Sequence, residues 1–411
     1  MVNLYIFKES SRAAIYGIGT YIRELTAALK DSDINVCVVH LRSEKVDDEP
    51  TKTNGIQHWH FPPPINRYIS SDWYRQNEIY YRNIVYLLRL QIKNTENLVF
   101  HLNHNHSAPL TKELKKAFYC KTVSVVHYLD WCFSLLGNVT RFKKLLSIQV
   151  TDQHDEIKKS IIKSYQEEKE FFEIVDRIIC LSENTRQILM DDYRINPEII
   201  SVIYNGLTDS IPVSDKQSLR QKHLMPDIPV ILFAGRLEEN KGLTYLLRAF
   251  KMVLNKFPHC QLIIAGNGAF NVCMNECEDI WTHVTWTGLV KKDKLYELYS
   301  IADIGVMPSF HEQCSFVVIE MMMHGLPVIA TATSGLNEIV DDTCGIKIPV
   351  IEHPDSKEID VSLLAEKIRC LLQNPEERQR LGANARRRYE TVYSAEIFRK
   401  NMTGFYHTLY K

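Results

Sequence analysis

The sequence predicts an α/β protein built from two doubly wound, Rossmann-like domains. Three observations predict it. Short apolar, β-branched runs alternate with amphipathic helical stretches along nearly the whole chain. The alternation starts twice, at VNLYIF and again at PVILFAGRL, and the turn-rich segment YNGLTDSIPVSD separates the two series. The chain has 411 residues, more than a single core usually holds.

Taken in order, VNLYIF is a strand, Gly17 and Gly19 make a turn, TYIRELTAALK is a helix and NVCVVHL a second strand. That succession is the opening βαβ unit of a parallel sheet. Strands recur at NLVFHL, TVSVVHYL and DRIICLS, with helices near Tyr74–Ile92 and Ser160–Ile174. The second series runs PVILFAGRL, CQLIIAGNG, HVTWTGLV, DIGVMPS and LPVIAT. Domains are therefore placed at 1–207 and 208–393, followed by an aromatic, amphipathic helix over 394–411.

Composition is that of an ordinary soluble protein: 45% hydrophobic, 24% charged, formal net charge -1. No overall basic excess points to nucleic acid as a partner. Ten cysteines are scattered; Cys273 and Cys277 are the closest pair, and no histidine completes a zinc set around them. Reduced thiols and a cytoplasmic setting are expected. The first strand runs at once into Lys8 and Glu9, too short for a secretory signal, and no apolar run reaches the length of a membrane span.

The most informative run is SFHEQCSFVVIEMMMHGLPVIAT. Glu312 falls in a loop, Ser315 at a helix N-cap, and Glu320 about a turn and a half inside that helix; Gly325 and Pro327 stop it. A helix N-terminus has unpaired N–H groups and partial positive charge, which suit a phosphate. Two flanking carboxylates suit hydroxyl groups, so the pair fits a nucleotide sugar. Upstream, FAGRLEENKG sets Arg236 at the carboxyl end of a buried strand and Lys241 five residues on. Two cations there can neutralise a departing diphosphate; the plainer alternative is a surface Arg and Lys after a strand.

Other signals are weaker. Gly17 and Gly19 can bring backbone N–H groups close to a ligand. A nicotinamide fingerprint needs a third glycine where Ile22 stands and an acidic residue where Leu41 and Arg42 stand, which disfavours a dehydrogenase. Gly335 precedes a helix start with Glu338 in its first turn, either a second anion cradle or a simple turn with a capping glutamate. His127 ends an apolar strand, with Asp130 close behind. His101, His104 and His106 fit no standard zinc spacing. The lysine-rich faces at Lys112–Lys121 and Ser160–Phe172 and the tyrosine–arginine mix at Tyr74–Arg89 read as solvated helix surfaces; membrane-surface or acceptor contact is the sharper alternative.

Together these residues resemble the retaining nucleotide-sugar glycosyltransferases of family 4, which have the GT-B fold. GIGTYIREL, IICLSENTRQIL, SVIYNGL, FAGRLEENKG, IAGNG, TGLV and the glutamate pair with HGLPVIAT stand in the family's order. The resemblance implies two domains facing across a cleft, the first on the acceptor side and the second binding the donor, with the C-terminal helix crossing back to the first. It implies that Arg236 and Lys241 bind the donor diphosphate, that Glu320 hydrogen-bonds the ribose and that Glu312 contacts the transferred sugar. The backbone at Cys314, Ser315 and Phe316 would touch sugar and phosphate, Gly17 and Gly19 would form the N-terminal donor loop, and Gly266, Leu289 and Val290 would border the base. His127 would approach sugar and acceptor, with Asp130 on the acceptor side. Glu312, His127, Arg236 and Lys241 thus form the expected catalytic group.

Three positions depart from the family pattern: Tyr128 follows His127 where aspartate is usual, Ser315 replaces a glycine, and Ser334-Gly335 stands for Gly-Gly. The implied reaction is sugar transfer with retention, from a UDP-sugar on family frequency, with no metal or other cofactor. The acceptor is a glycan, lipid-linked sugar, peptide or small molecule, sought first along the aromatic Trp73–Leu90 stretch; peripheral contact with the inner membrane surface is compatible. A nucleotide-sugar epimerase, a sugar phosphorylase and a non-catalytic partner subunit are the alternatives.

Overall fold

A computed structural model describes residues 1–10, 16–45, 50–64, 73–147 and 156–410, apart from the side chains of Trp73 and Tyr74. The two leading aromatic side chains of the Trp73–Leu90 stretch therefore lie outside the described residues. The chain forms two compact units, Met1–Trp131 with Leu145–Gly206 and Ala395–Lys411, and Cys132–Lys144 with Leu207–Ser394.

The first unit is an eight-stranded sheet. Its strands are β1 (Val2–Glu9), β2 (Ile34–Leu41), β3 (Thr51–Thr53), β4 (Ile56–His60), β5 (Leu98–Leu102), β6 (Cys120–Val126), β7 (Arg177–Cys180) and β8 (Ile200–Val202). They lie in the order β3-β4-β2-β1-β5-β6-β7-β8. All neighbours are parallel except β3 and β4. Central strands such as β5 are buried at every residue, as expected where helices cover both faces of a parallel sheet. Helix Ala395–Thr408 belongs to this unit: Phe398 meets Tyr21 of helix Gly17–Leu29 edge-on at 5.7 Å, and Tyr406 Oη hydrogen-bonds His101 Nδ1 at 2.8 Å.

The second unit carries β9 (Val230–Ala234), β10 (Gln261–Ala265), β11 (Val284–Gly288), β12 (Ile304–Met307), β13 (Val328–Thr331) and β14 (Gly345–Ile348). These six are all parallel, in the order β11-β10-β9-β12-β13-β14. Its core packs Ile231, Phe233, Ile264, Val306 and Ile329 against helix residues such as Leu246, Phe250 and Ile368. A two-stranded hairpin, β15 (Val350–Glu352) with β16 (Lys357–Ile359), completes the unit. The strand order reverses between β9 and β12, and loops at the carboxyl ends of such a switch point diverge and leave a crevice.

Both sheets stand where the sequence puts them, but the shorter strands were not legible. Strands β3, β4 and β8 and the strands beyond β13 carry short, half-exposed patterns rather than apolar runs. The sequence also reads all of 1–207 as one domain, whereas Cys132–Lys144 counts with the second unit. The buried Lys357 ammonium donates to Gly137 O at 3.1 Å and Asn138 Nδ2 to His353 O at 2.9 Å, which fastens the segment there. Gly17 and Gly19 are corrected as well: they form the first turn of helix Gly17–Leu29 rather than a turn before it.

Candidate active site

At the switch point of the second sheet, the β9 and β12 loops are pressed together. After β9 the chain passes Arg236 and closes a short 3-10 turn, Glu239–Lys241, on Gly242 in the left-handed region, φ 64°. A Cβ on Gly242 would sit 1.9 Å from Pro308 O, so only glycine lets this turn lie against the end of β12. Phe310 N donates to Asn240 O at 2.8 Å and fixes the register. The consequence is an ion pair of mostly buried groups: Lys241 Nζ lies 2.5 Å from Glu312 Oε1. Arg236 is tied to Glu238 at 2.8 Å and keeps part of its guanidinium in solvent.

Glu312 is held from several sides. Ser309 Oγ donates to Oε1 at 3.0 Å, and the Glu312 N–H donates to Ser334 Oγ at 3.0 Å. Gly335 N donates to Glu312 O at 2.9 Å, and a Cβ on Gly335 would stand 1.7 Å from Gln313 O. The glycine of Ser334-Gly335 is thus a packing requirement. Ser334 occupies the left-handed region, φ 38°, where a Gly-Gly sequence would carry no strain.

Helix Phe316–Met323 follows directly. Ser315 sits at its N-cap, as the sequence suggests, but its side chain makes no capping hydrogen bond, and that part of the expectation is corrected. The cap therefore leaves the first-turn N–H groups without a side-chain acceptor from Ser315. Gly325, φ 65°, ends the helix, with Leu326 N donating to Met321 O and Gly325 N to Met322 O. Glu320 is buried at 5% exposure; Tyr299 Oη donates to its Oε2 at 2.9 Å and Lys292 Nζ lies 3.1 Å from Oε1. Burial and the neighbouring carboxylate hold the Tyr299 phenol protonated. Sequence reading missed both partners, although Lys292 and Tyr299 stand seven residues apart and so share a helix face.

The remaining donor-side candidates are reached from β10 and β11. Gly266, φ 155°, passes so close to Gly235 that a Cβ would meet its carbonyl oxygen at 1.7 Å. Leu289 is 62% exposed and Val290 half-buried beyond the end of β11. Cys314 is buried and Phe316 half-buried. His311, between these elements, is held neutral: burial lowers its pKa to about 3, and Lys357 and Lys241 push the same way.

In the first unit His127 and Asp130 are not brought together. His127 Nε2 bonds Asn103 Oδ1 at 2.9 Å, and Tyr21 meets its ring edge-on at 4.8 Å. Burial, followed by the neighbouring His104 and His101, keeps it neutral. Asp130 Oδ2 instead bonds His106 Nε2 at 2.8 Å, while Glu167 Oε2 takes His106 Nδ1 at 3.1 Å. The Asp130 hydrogen bond and charge raise the His106 pKa despite burial. The three histidines of HLNHNH point to separate partners, His101 to Tyr406, His104 to the Glu9 N–H and His106 to these carboxylates. Among the described residues no group of three or more His, Cys, Asp or Glu could hold a metal ion.

Beneath Asp130 lies Glu168, fully buried, accepting from the Asp130 N–H at 2.8 Å, Asn105 Nδ2 at 3.0 Å and Tyr193 Oη at 2.5 Å. Burial raises its pKa to about 7. A cavity of about 430 Å³ opens beside this cluster, lined by residues of the first unit that include Asn77, Arg82, His106, Lys112 and Glu167. Sequence reading did not find it, because its lining comes from three separate segments.

Two family models tile the chain. Glycosyltransferase Family 4 matches residues 15–210 and Glycosyl transferases group 1 matches residues 215–388. Both units are Rossmann-like with parallel sheets, and the chain belongs to the family 4 glycosyltransferases of GT-B fold. It is 26% identical over 237 residues to alpha-D-kanosaminyltransferase of Streptomyces kanamyceticus, covering 56% of this chain and 59% of that one. It is 30% identical over 179 residues to sulfoquinovosyl transferase of Arabidopsis thaliana, 43% of this chain and 33% of that protein. The chain spans about half the length of the curated relatives it matches. Among solved structures it resembles sucrose-phosphate synthase from Thermosynechococcus elongatus, with TM-score 0.78, 21% identity and coverage of 100% of this chain and 99% of that one. It also resembles Anabaena HepE in complex with UDP-glucose, with TM-score 0.72, 14% identity and both chains fully covered at 100%.

Proposed function

We propose that this protein transfers a sugar from a nucleotide diphosphate donor, a UDP-sugar, to an acceptor hydroxyl with retention of anomeric configuration. One observation carries the reading: Lys241 and Glu312 pair at 2.5 Å at a topological switch point, directly before a helix whose N-cap side chain leaves its first amides unclaimed. An arriving diphosphate would compete with Glu312 for Lys241. The exchange would put the cation on phosphate and release the carboxylate towards the hydroxyls of the donor sugar.

The chemistry follows from that placement. The bond from the anomeric carbon to the phosphate oxygen breaks, and its electron pair goes to the diphosphate. Arg236, Lys241 and the amides of helix Phe316–Met323 meet the charge as it forms. The acceptor oxygen attacks on the face that the diphosphate leaves, and its proton passes to a departing phosphate oxygen. The leaving group's charge is met by protein cations, so this reading requires no metal. Glu320, oriented by Tyr299 and Lys292, is the acceptor assigned to the ribose hydroxyls. On the acceptor side, His127, Asp130 and the cavity lined by His106 are the groups of the first unit assigned to the incoming hydroxyl.

The test is release of nucleotide diphosphate across common nucleotide sugars, uridine donors first, with and without added acceptors. Arg236→Ala combined with Lys241→Ala should lower kcat/KM at least about a thousandfold, since one such contact is worth about 100- to 1000-fold. A double variant that turns over donor at the normal rate would remove the diphosphate assignment. Activity should persist in EDTA, and an inverted anomeric product would overturn the retaining step.

A further inference from the structure

We infer that the outer face of helix Trp73–Gln91 is a docking surface for an anionic lipid bilayer. The inference is independent of the transfer reading. A surface helix of a globular protein needs one apolar stripe to bind its core. This helix has that stripe: Tyr80, Tyr81, Ile84, Val85 and Leu88 are buried in the first unit. It also has a second. Ile79, Tyr86, Leu87 and Leu90 are 40%, 58%, 44% and 67% exposed, and their spacing of seven, eight and eleven residues sets them along one side.

Cations border that second stripe. Arg75, Arg82 and Arg89 recur every seven residues and are exposed, with Lys93 four positions beyond Arg89. Most exposed cations near this helix are neutralised: Lys112 pairs with Glu170, Lys115 with Asp176 and Lys116 with Glu113. The three arginines form no ion pair among the described residues, and the Lys93 ammonium caps Leu90 O at 2.8 Å. Glu78 is the one acidic residue of the helix. Unpaired guanidiniums beside exposed Tyr and Leu match a phosphate headgroup layer over acyl chains, with charge complementing charge. The helix is too polar to cross a membrane, and no described helix is long and apolar enough to do so, so this one lies on the surface.

The experiment is co-sedimentation of the full chain with phosphatidylcholine vesicles, with and without about a third phosphatidylglycerol. Binding is expected only to the anionic vesicles and should weaken strongly between 0.1 and 0.5 M salt, where the screening length shortens from about 10 Å. Arg75→Glu with Arg89→Glu should lower partitioning roughly a hundredfold or more, and Tyr86→Ser with Leu90→Ser about tenfold, with an unchanged thermal unfolding transition in both as a folding control. Wild-type protein that stays with the supernatant on anionic vesicles, or a charge-reversed variant that binds as wild type, would overturn the proposal. So would a concentration-dependent dimer that these same substitutions dissolve, because the face would then be covered by a second copy.

Discussion

The two sheets carry their polar residues at equivalent strand ends and use them in opposite ways. At the end of β5 and β6, the first unit ties its groups to one another: His101 Nδ1 with Tyr406, His104 with the Glu9 amide, His127 with Asn103, and Glu168 with three donors. At the end of β9 and β12, the second unit keeps full charges, Lys241 on Glu312 and Arg236 on Glu238, beside a helix start with no side-chain cap. Polar groups locked to one another stabilise a fold. Opposite charges poised together can change partners when a charged ligand arrives. The same sheet topology thus supports a rigid wall in one unit and an exchangeable site in the other.

After the loss expected from removing Arg236 and Lys241 together, the next largest effect comes from Gly335→Ala. The new methyl must displace the Gln313 carbonyl, 1.7 Å away, and the Glu312 loop with it. A displacement on the order of 1 Å costs roughly a hundredfold in kcat/KM. Steady-state kinetics with thermal unfolding should show activity falling far more than stability. If both fall together, the loop is merely structural.

A smaller effect separates charge from packing. Lys241→Met leaves Glu312 mostly buried beside an apolar chain and should destabilise by about 2 kcal/mol. Adding Glu312→Gln should return part of that loss, and a double-mutant cycle from denaturant unfolding gives the coupling. Zero coupling would show that the pair is not the exchangeable element of the second unit.

In the first unit the signature is pH. Glu168 has a folded pKa raised to about 7, above its ordinary carboxyl range, so it binds more protons folded than unfolded between about 4.5 and 7. Its contribution is full below that window and is lost as pH rises through about 7. His101, with a pKa lowered to about 3, has the opposite sign: stability is full above about 6.5 and lost as pH falls towards 3. Glu168→Gln should remove the loss on the alkaline side and leave the acid limb. A series of thermal midpoints from pH 4 to 8 reads this, and an unchanged profile would show that Glu168 is not the titrating group.

The smallest effect belongs to Ser334→Gly. Relief of the left-handed strain and loss of the Glu312 N–H···Ser334 Oγ bond are each worth about 1 kcal/mol and oppose one another. A midpoint shift within about 0.5 kcal/mol is expected. A loss much above that would mean that the serine hydroxyl, rather than the glycine beside it, fixes the loop.

Much of this was legible because it is local. Apolar runs marked strands β1, β2, β5, β6, β7 and β9 to β13, with β11 at a sheet edge among them, and Gly325 with Pro327 marked the end of helix Phe316–Met323. The shortest strands were missed because a three-residue TKT or ISV pairs through its backbone and needs no side-chain pattern. Gly17 and Gly19 misled for a related reason: glycine is permitted in a turn, but a helix anchored by Ile18, Tyr21 and Ile22 absorbed both.

By itself the sequence determined the two α/β sheets, the place where the chain changes from one series to the next, and which charged residues follow which strands. It could do so because periodicity, glycine and proline act within a few residues. Only the tertiary structure decided that Lys241 meets Glu312 across 71 positions, that Lys292 and Tyr299 orient Glu320, and that Asp130 serves His106 and not His127. Those pairings depend on backbone approaches such as Gly242 against Pro308, which arise from the packing of distant segments and leave no local pattern beyond a single glycine.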